Sequence, residues 1–228
     1  MGVELSYIAR LTQEKTMQAL EWVYEKAISD VAGLDSAQHL ADDYLRKGGT
    51  LEEKINALIR WQSSMSGASG FITGLGGLLT IPASIPANVI SVMFIQIRMI
   101  AAIATMCGHD VKEESVKTSV LLSLMGDAAV DLVKDFGISA AADVAISAIT
   151  NIPGKSLTAI NRVVGFNLLA KTGQTGLINL GKTVPILGGV ISGATDAFTT
   201  YTIGNFARDK FLMPERAGQM ELLAGDLA

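Results

Sequence analysis

The stretch ANVISVMFIQIRMIAAIATMCG, residues 87–108, decides the fold. Pro82 and Pro86 precede it and a glycine closes it. The expected form is one helix from about Ala87 to Cys107, stopped by Gly108. Apolar residues occur on every side of such a helix, so it is either the core of a helical domain or a membrane span. Gln96 and Arg98 stand near its centre, and an arginine there costs roughly 3 kcal/mol in hydrocarbon. The residues point to a helix buried in protein, with one flank able to touch lipid.

Upstream, no charged residue occurs between Arg60 and Arg98. Gly67, Gly70, Gly74, Gly76 and Gly77 crowd the first half of that run. A Gly-rich helical segment, a turn at Pro82 and Pro86, and the helix from Ala87 together make an apolar helix-turn-helix hairpin, about Gly67 to Cys107. Phe71, Leu75, Leu78, Leu79, Ile81 and Ile85 are its candidate lipid-facing residues. The four-residue glycine spacing, repeated at Gly189 and Gly193, lets helices approach closely.

Before Arg60 the chain reads as soluble and amphipathic. Leu5, Ile8 and Leu11, then Leu20, Val23, Ala27 and Val31, recur at helical steps, and Gly33 is a natural stop. Asp35 is placed to cap a short second helix ending at Gly48-Gly49. Thr50-Leu51-Glu52-Glu53 is a capping box that opens a third, with Leu51, Ile55, Leu58 and Ile59 on one face. Beyond Gly108, Asp110 is placed to cap a helix from Val111 to about Phe136, and Ile138–Ile149 is Ala-rich with Asp143 as its one acid. After Pro153-Gly154 an amphipathic helix runs to Ala170, followed by a Gly-broken connection. A last long helix begins near Pro185 and ends about Phe211, before Pro214. No sustained period-two alternation is present, so no sheet is expected.

The fold expected is therefore all-α: a single Gly-rich helical domain with the central apolar hairpin and a long C-terminal helix. Residues 1–212 form that domain, with 1–60 an amphipathic layer and 61–212 the apolar core; 213–228 is a polar acidic tail. Charged residues are 18% of the chain and hydrophobic ones 49%, with a mean hydropathy of +0.38. Those values stand between a soluble globule and an integral membrane protein.

Net charge is −4, which argues against nucleic acid as a partner. Residues 150–212 nonetheless carry six bases against two acids. Lys155, Arg162, Lys171 and Lys182 punctuate the apolar part as headgroup contacts would, and a solvated helix face explains them equally well. Cys107 is the only cysteine, which fits a reducing compartment, and the N-terminus lacks the pattern of a signal peptide.

Gly176-Leu177-Ile178-Asn179-Leu180-Gly181-Lys182-Thr183 satisfies the spacing of a phosphate-binding loop. No strand leads into it and Pro185 follows at once, so a packed helical turn is the better reading. Two histidines and one cysteine give no recognisable catalytic or metal spacing; His39 with Asp42 and Asp43 reads as a solvated helix face. No catalytic residue, cofactor or metal is expected. The lone charges Arg98 and Asp196, with Thr200, are candidates for a buried charge pair or polar site, since a buried charge persists only when partnered. A pair that fixes helix register is the favoured reading. Arg98 and Asp196 either meet or each finds another polar partner.

Three segments resemble the EcsC family of bacterial proteins: Gly70-x-x-x-Gly74-x-Gly76-Gly77 leading to Pro82 and Pro86; Arg98 through Ile103-Ala104 to Gly108-His109-Asp110; and Gly181-Lys182-x-x-Pro185-x-x-Gly188 followed by Gly193, Asp196, Thr200, Ile203-Gly204, Ala207 and Phe211. His109 departs from the aromatic more usual there. The resemblance implies a helical fold, a cytoplasmic or membrane-peripheral location and a link to transport or secretion; it carries over no catalytic residue. The function expected is a membrane-peripheral or lipid-binding accessory protein, cytoplasmic and against the inner membrane. Its partners would be membrane lipid or a membrane protein complex, with a homo-oligomer left open. The alternative is a soluble helical protein-interaction module, and a less favoured third is an enzyme with a site near Asp196.

Overall fold

The computed structural model describes residues 17–30, 35–66, 87–136, 149, 152–180 and 194–212, with the side chains of 87–89 and 169–180 excepted. All regular structure among them is helical. The hairpin positions Phe71, Leu75, Leu78, Leu79, Ile81 and Ile85, the base Lys182, the expected start near Pro185 and the 213–228 tail lie outside the described residues. So do Leu5, Ile8 and Leu11, Val31 and Gly33, and the Ala-rich stretch up to Ile149.

Helix α1 covers 17–28 and buries Leu20, Val23, Tyr24 and Ala27. Helix α2 is Ala37–Leu45, and its cap is Ser36, one residue later than expected. Ser36 Oγ accepts from the His39 N–H, while Asp30 Oδ1 accepts from the Ser36 N–H and pins the turn. Ala37, Leu40, Ala41 and Tyr44 form its buried stripe. Helix α3, Leu51–Ser66, opens on the capping box: the Thr50 N–H donates to Glu53 Oε2 at 2.9 Å, and the Glu53 N–H donates to Thr50 Oγ1 at 3.2 Å. It continues through Arg60, and its buried stripe begins apolar at Ile55, Leu58 and Ile59 and ends polar at Gln62, Ser63 and Ser66.

Helix α4, Ala87–Met106, stands where the sequence placed it. Every residue from Phe94 to Ala104 is buried. Helices α2 and α3 and the helix over Glu114–Ser123 pack around it. It ends in a Schellman motif: the Gly108 N–H donates to Thr105 O and the His109 N–H to Ala104 O, with Gly108 at φ 83°. Among the described residues no helix is long and apolar enough to cross a membrane.

The helix expected over Val111–Phe136 is two. Asp110 Oδ1 accepts from the Lys112 N–H to close a turn, and α5, Glu114–Ser123, starts after Glu113. Helix α6, Ala128–Asp135, follows a break at Gly126, whose φ of 58° is left-handed and cannot continue a right-handed helix. The opposite correction applies to α7. It is one helix, Gly154–Leu180, running straight through Gly173 and Gly176 where a broken connection was expected. Helix α8 is described over 194–212, and its end matches the expected one. A continuous core draws on all eight of the described helices, from Leu20 to Leu212.

Candidate functional site

Helix α8 lies along α3 in antiparallel register. Arg208 Nη1 donates to Asn56 Oδ1 at 2.6 Å, Gly204 sits over Ile59, and the Ser66 hydroxyl donates to the Asp196 carbonyl at 3.3 Å. One turn forward on α3 is one turn back on α8, so Thr200 comes level with Gln62 and Ser63. The same helix runs parallel to α4: Gln96 Nε2 donates to Thr200 Oγ1 at 3.1 Å, Gly204 meets Met99, and the His109 ring lies against Phe211. Three helices thus meet along a polar seam: Ser66 on α3, Gln96 on α4 and Thr200 on α8 are bonded across it, and Gln62 and Ser63 on α3 and Asp196 on α8 stand at the same levels.

The members of this seam are satisfied unequally. Ser63 donates within its own helix to Ile59 O at 2.7 Å, and the one hydroxyl proton of Ser66 is shared between Ser63 O at 2.9 Å and the Asp196 carbonyl. Thr200 is fully buried and bonded. Gln62 is 0% exposed, and neither Oε1 nor Nε2 has a hydrogen-bond partner among the described residues. An amide so placed costs about 1–3 kcal/mol. Asp196, half-buried at the outer end, has its carboxyl pKa raised by burial.

Arg98 and Asp196 do not form an ion pair among the described residues: Arg98 bonds elsewhere, and the bond at Asp196 is to its backbone carbonyl. Arg98 is 5% exposed and donates from Nη1 to the Asp35 carbonyl at 3.2 Å, at the entrance of α2. Its Nε has no partner among the described residues. Burial lowers its pKa and the nearby Asp35 works in the other direction, but a guanidinium stays charged at any ordinary pH. Residues two apart on a helix point roughly 200° from one another. Gln96 therefore faces α8 and Arg98 faces α2, which is why Thr200 meets the former. Thr200 and Asp196, four apart, do share a face.

The bases distribute as follows. Lys155, Thr158, Arg162 and Phe166 are exposed along one face of α7, and Phe166 retains 50% of its surface. Position 171 belongs to the same helix, and its side chain lies outside the described ones. On α8, Phe198 is 72% and Tyr201 47% exposed.

The residues considered for catalysis do not converge. His109 packs on Phe211 beyond the end of α4, with its pKa lowered by burial and partly restored by Glu113. His39 Nδ1 lies 2.9 Å from Asp30 Oδ1, and both are exposed. Asp42 takes Gln38 and Asp43 takes Arg46, all on the solvent side. Among the described residues no three His, Cys, Asp or Glu side chains are grouped to hold a metal. The first five residues of the phosphate-loop pattern, Gly176–Leu180, are α-helical, so they cannot wrap a phosphate as a loop does.

Sequence reasoning named Gln96 without its partner and missed Gln62 and Ser66. The signal for these two was available: they extend the Ile55–Ile59 stripe at three- and four-residue steps.

No curated protein and no solved structure matches the chain. A family model described as the EcsC protein family matches residues 6–213, a span that contains every described helix. The chain belongs to the EcsC protein family.

Proposed function

We propose that the protein is a non-catalytic, membrane-peripheral lipid-binding accessory, acting on the cytoplasmic side of the inner membrane in a task linked to transport or secretion. The observation that carries this reading is the outer face of α7. Lys155 and Arg162 are two turns apart on it, Phe166 is one turn further, and all three are exposed. From Gly154 to Leu180 the helix holds no acid. Bases beside an exposed aromatic ring are the chemistry of an anionic headgroup layer, with the cations at phosphate level and the ring at the acyl boundary. The uncharged run ahead of α4 is a further apolar stretch that this reading offers to lipid.

Vesicle flotation tests it. Phosphatidylglycerol-containing vesicles are expected to float the protein at low salt, with weaker flotation at high salt. Phosphatidylcholine alone is expected to float less of it. A Lys155→Glu, Arg162→Glu double variant is expected to lose most of the low-salt binding. Absence of flotation under every condition rejects the reading. It then favours the soluble interaction module, for which exposed Phe198 and Tyr201, three apart on α8, are the specific observation.

A further inference from the structure

We propose that the seam between α3, α4 and α8 is a binding site for one neutral hydroxyl group, held by the amide of Gln62. The inference does not depend on the membrane reading. It rests on the polar level that three helices build and on the buried amide in it that has no partner among the described residues.

Gln62 is wholly enclosed, and among the described residues both of its amide atoms are unpartnered. Replacing such a group by an apolar one of the same shape removes the penalty, so its presence calls for an occupant. The register puts Gln62 level with Thr200, whose hydroxyl already takes the Gln96 amide. On one side the seam is sealed by Gly204 against Ile59 and Met99. On the other it leads to Ser66 and the half-buried Asp196.

The class of ligand follows from the donors and acceptors. The amide offers N–H groups and a carbonyl together, and a hydroxyl answers both because it accepts and donates. A cation would face the Nε2 hydrogens. An anion would lie one turn from Asp196. The anion finds no countercharge, since Arg98 is turned to Asp35. The hydroxyl is that of water or of an alcohol-bearing ligand, which share this chemistry.

The test is a high-resolution crystal structure of the full chain, grown and cooled without polyols, with native mass spectrometry of the same preparation. Density within hydrogen-bond distance of Gln62 Nε2 or Oε1 is the expected result. A spherical peak assigns water. Connected density with a matching added mass assigns an alcohol. Absence of density at both atoms overturns the proposal. In solution Gln62→Met, close in length, is expected to melt about 2–4 °C below the parent, because it strands the bound hydroxyl. A Gln62→Met protein that melts above the parent also overturns it. The density arm uses the unaltered chain and stands if the variant fails to fold.

Discussion

A Cβ placed on Gly204 would stand 2.8 Å from Ile59 Cγ2 and 3.0 Å from Met99 Cε. Helix α8 therefore reaches α3 and α4 only because position 204 has no side chain. Ile59 is β-branched and wholly buried, so it cannot swing aside. Gly204→Ala gains up to about 1 kcal/mol of helix propensity but loses about 1–3 kcal/mol to overpacking. We expect a net fall in Tm. Equal or higher stability in a denaturant titration would show that α8 can slide outward at no cost.

The capping box predicts a second loss. Thr50→Ala removes the acceptor for the Glu53 N–H and frees the Glu53 side chain, which reaches back to the Thr50 N–H. The expected cost is about 1 kcal/mol. Thr50→Ser keeps the oxygen and is expected to remain close to the parent. If both variants unfold at the same denaturant concentration, the box contributes nothing.

Arg98 makes a sharper case. Among the described residues its charge is buried on one carbonyl bond and a distant Phe94 ring, so losing the charge while keeping the length is expected to cost little. Arg98→Met should leave stability within about 1 kcal/mol of the parent or raise it. Arg98→Ala should cost about 2–4 kcal/mol through the hollow it leaves. The comparison of the two by chemical denaturation decides. A Met variant as damaged as the Ala one would show that the guanidinium itself holds α2 on α4.

Asp196 gives a pH dependence with a definite sign. Burial raises its folded-state pKa. The folded chain then holds the proton more tightly than the unfolded one. The contribution to stability is full below the unfolded value, near 3.9 for an ordinary aspartate, and is lost as pH rises through the folded pKa. Asp196→Asn is expected to match the parent at pH 3 and to exceed its Tm at pH 7. Melting curves across that range check it, and a constant offset at all pH values contradicts it.

Much of the fold was legible, and glycine marks where legibility ended. The stop at Gly108 was readable because an apolar run ended there and a capping residue followed. Gly126 broke a helix expected to run to Phe136, whereas Gly173 and Gly176 lie within a helix expected to end before them. The same residue type serves both outcomes, and neighbouring packing decides between them. The expected soluble layer stopped at Arg60 because composition changes there, yet α3 carries its buried stripe on to Ser66.

The site was half legible for a related reason. That Arg98 and Thr200 are buried follows from the apolar run around each. Which polar group meets which depends on the side of α4 each neighbour occupies, and periodicity within one helix does not contain that.

From Phe94 to Ala104 helix α4 is enclosed on every side, and this changes how greasiness in the chain should be weighed. A rod with no face to water spends its isoleucines on its own neighbours. Part of the high mean hydropathy is thus an axle inside the molecule, already occupied. A search for surfaces that meet the outside world belongs on the peripheral helices, where a single ring or a pair of cations is conspicuous.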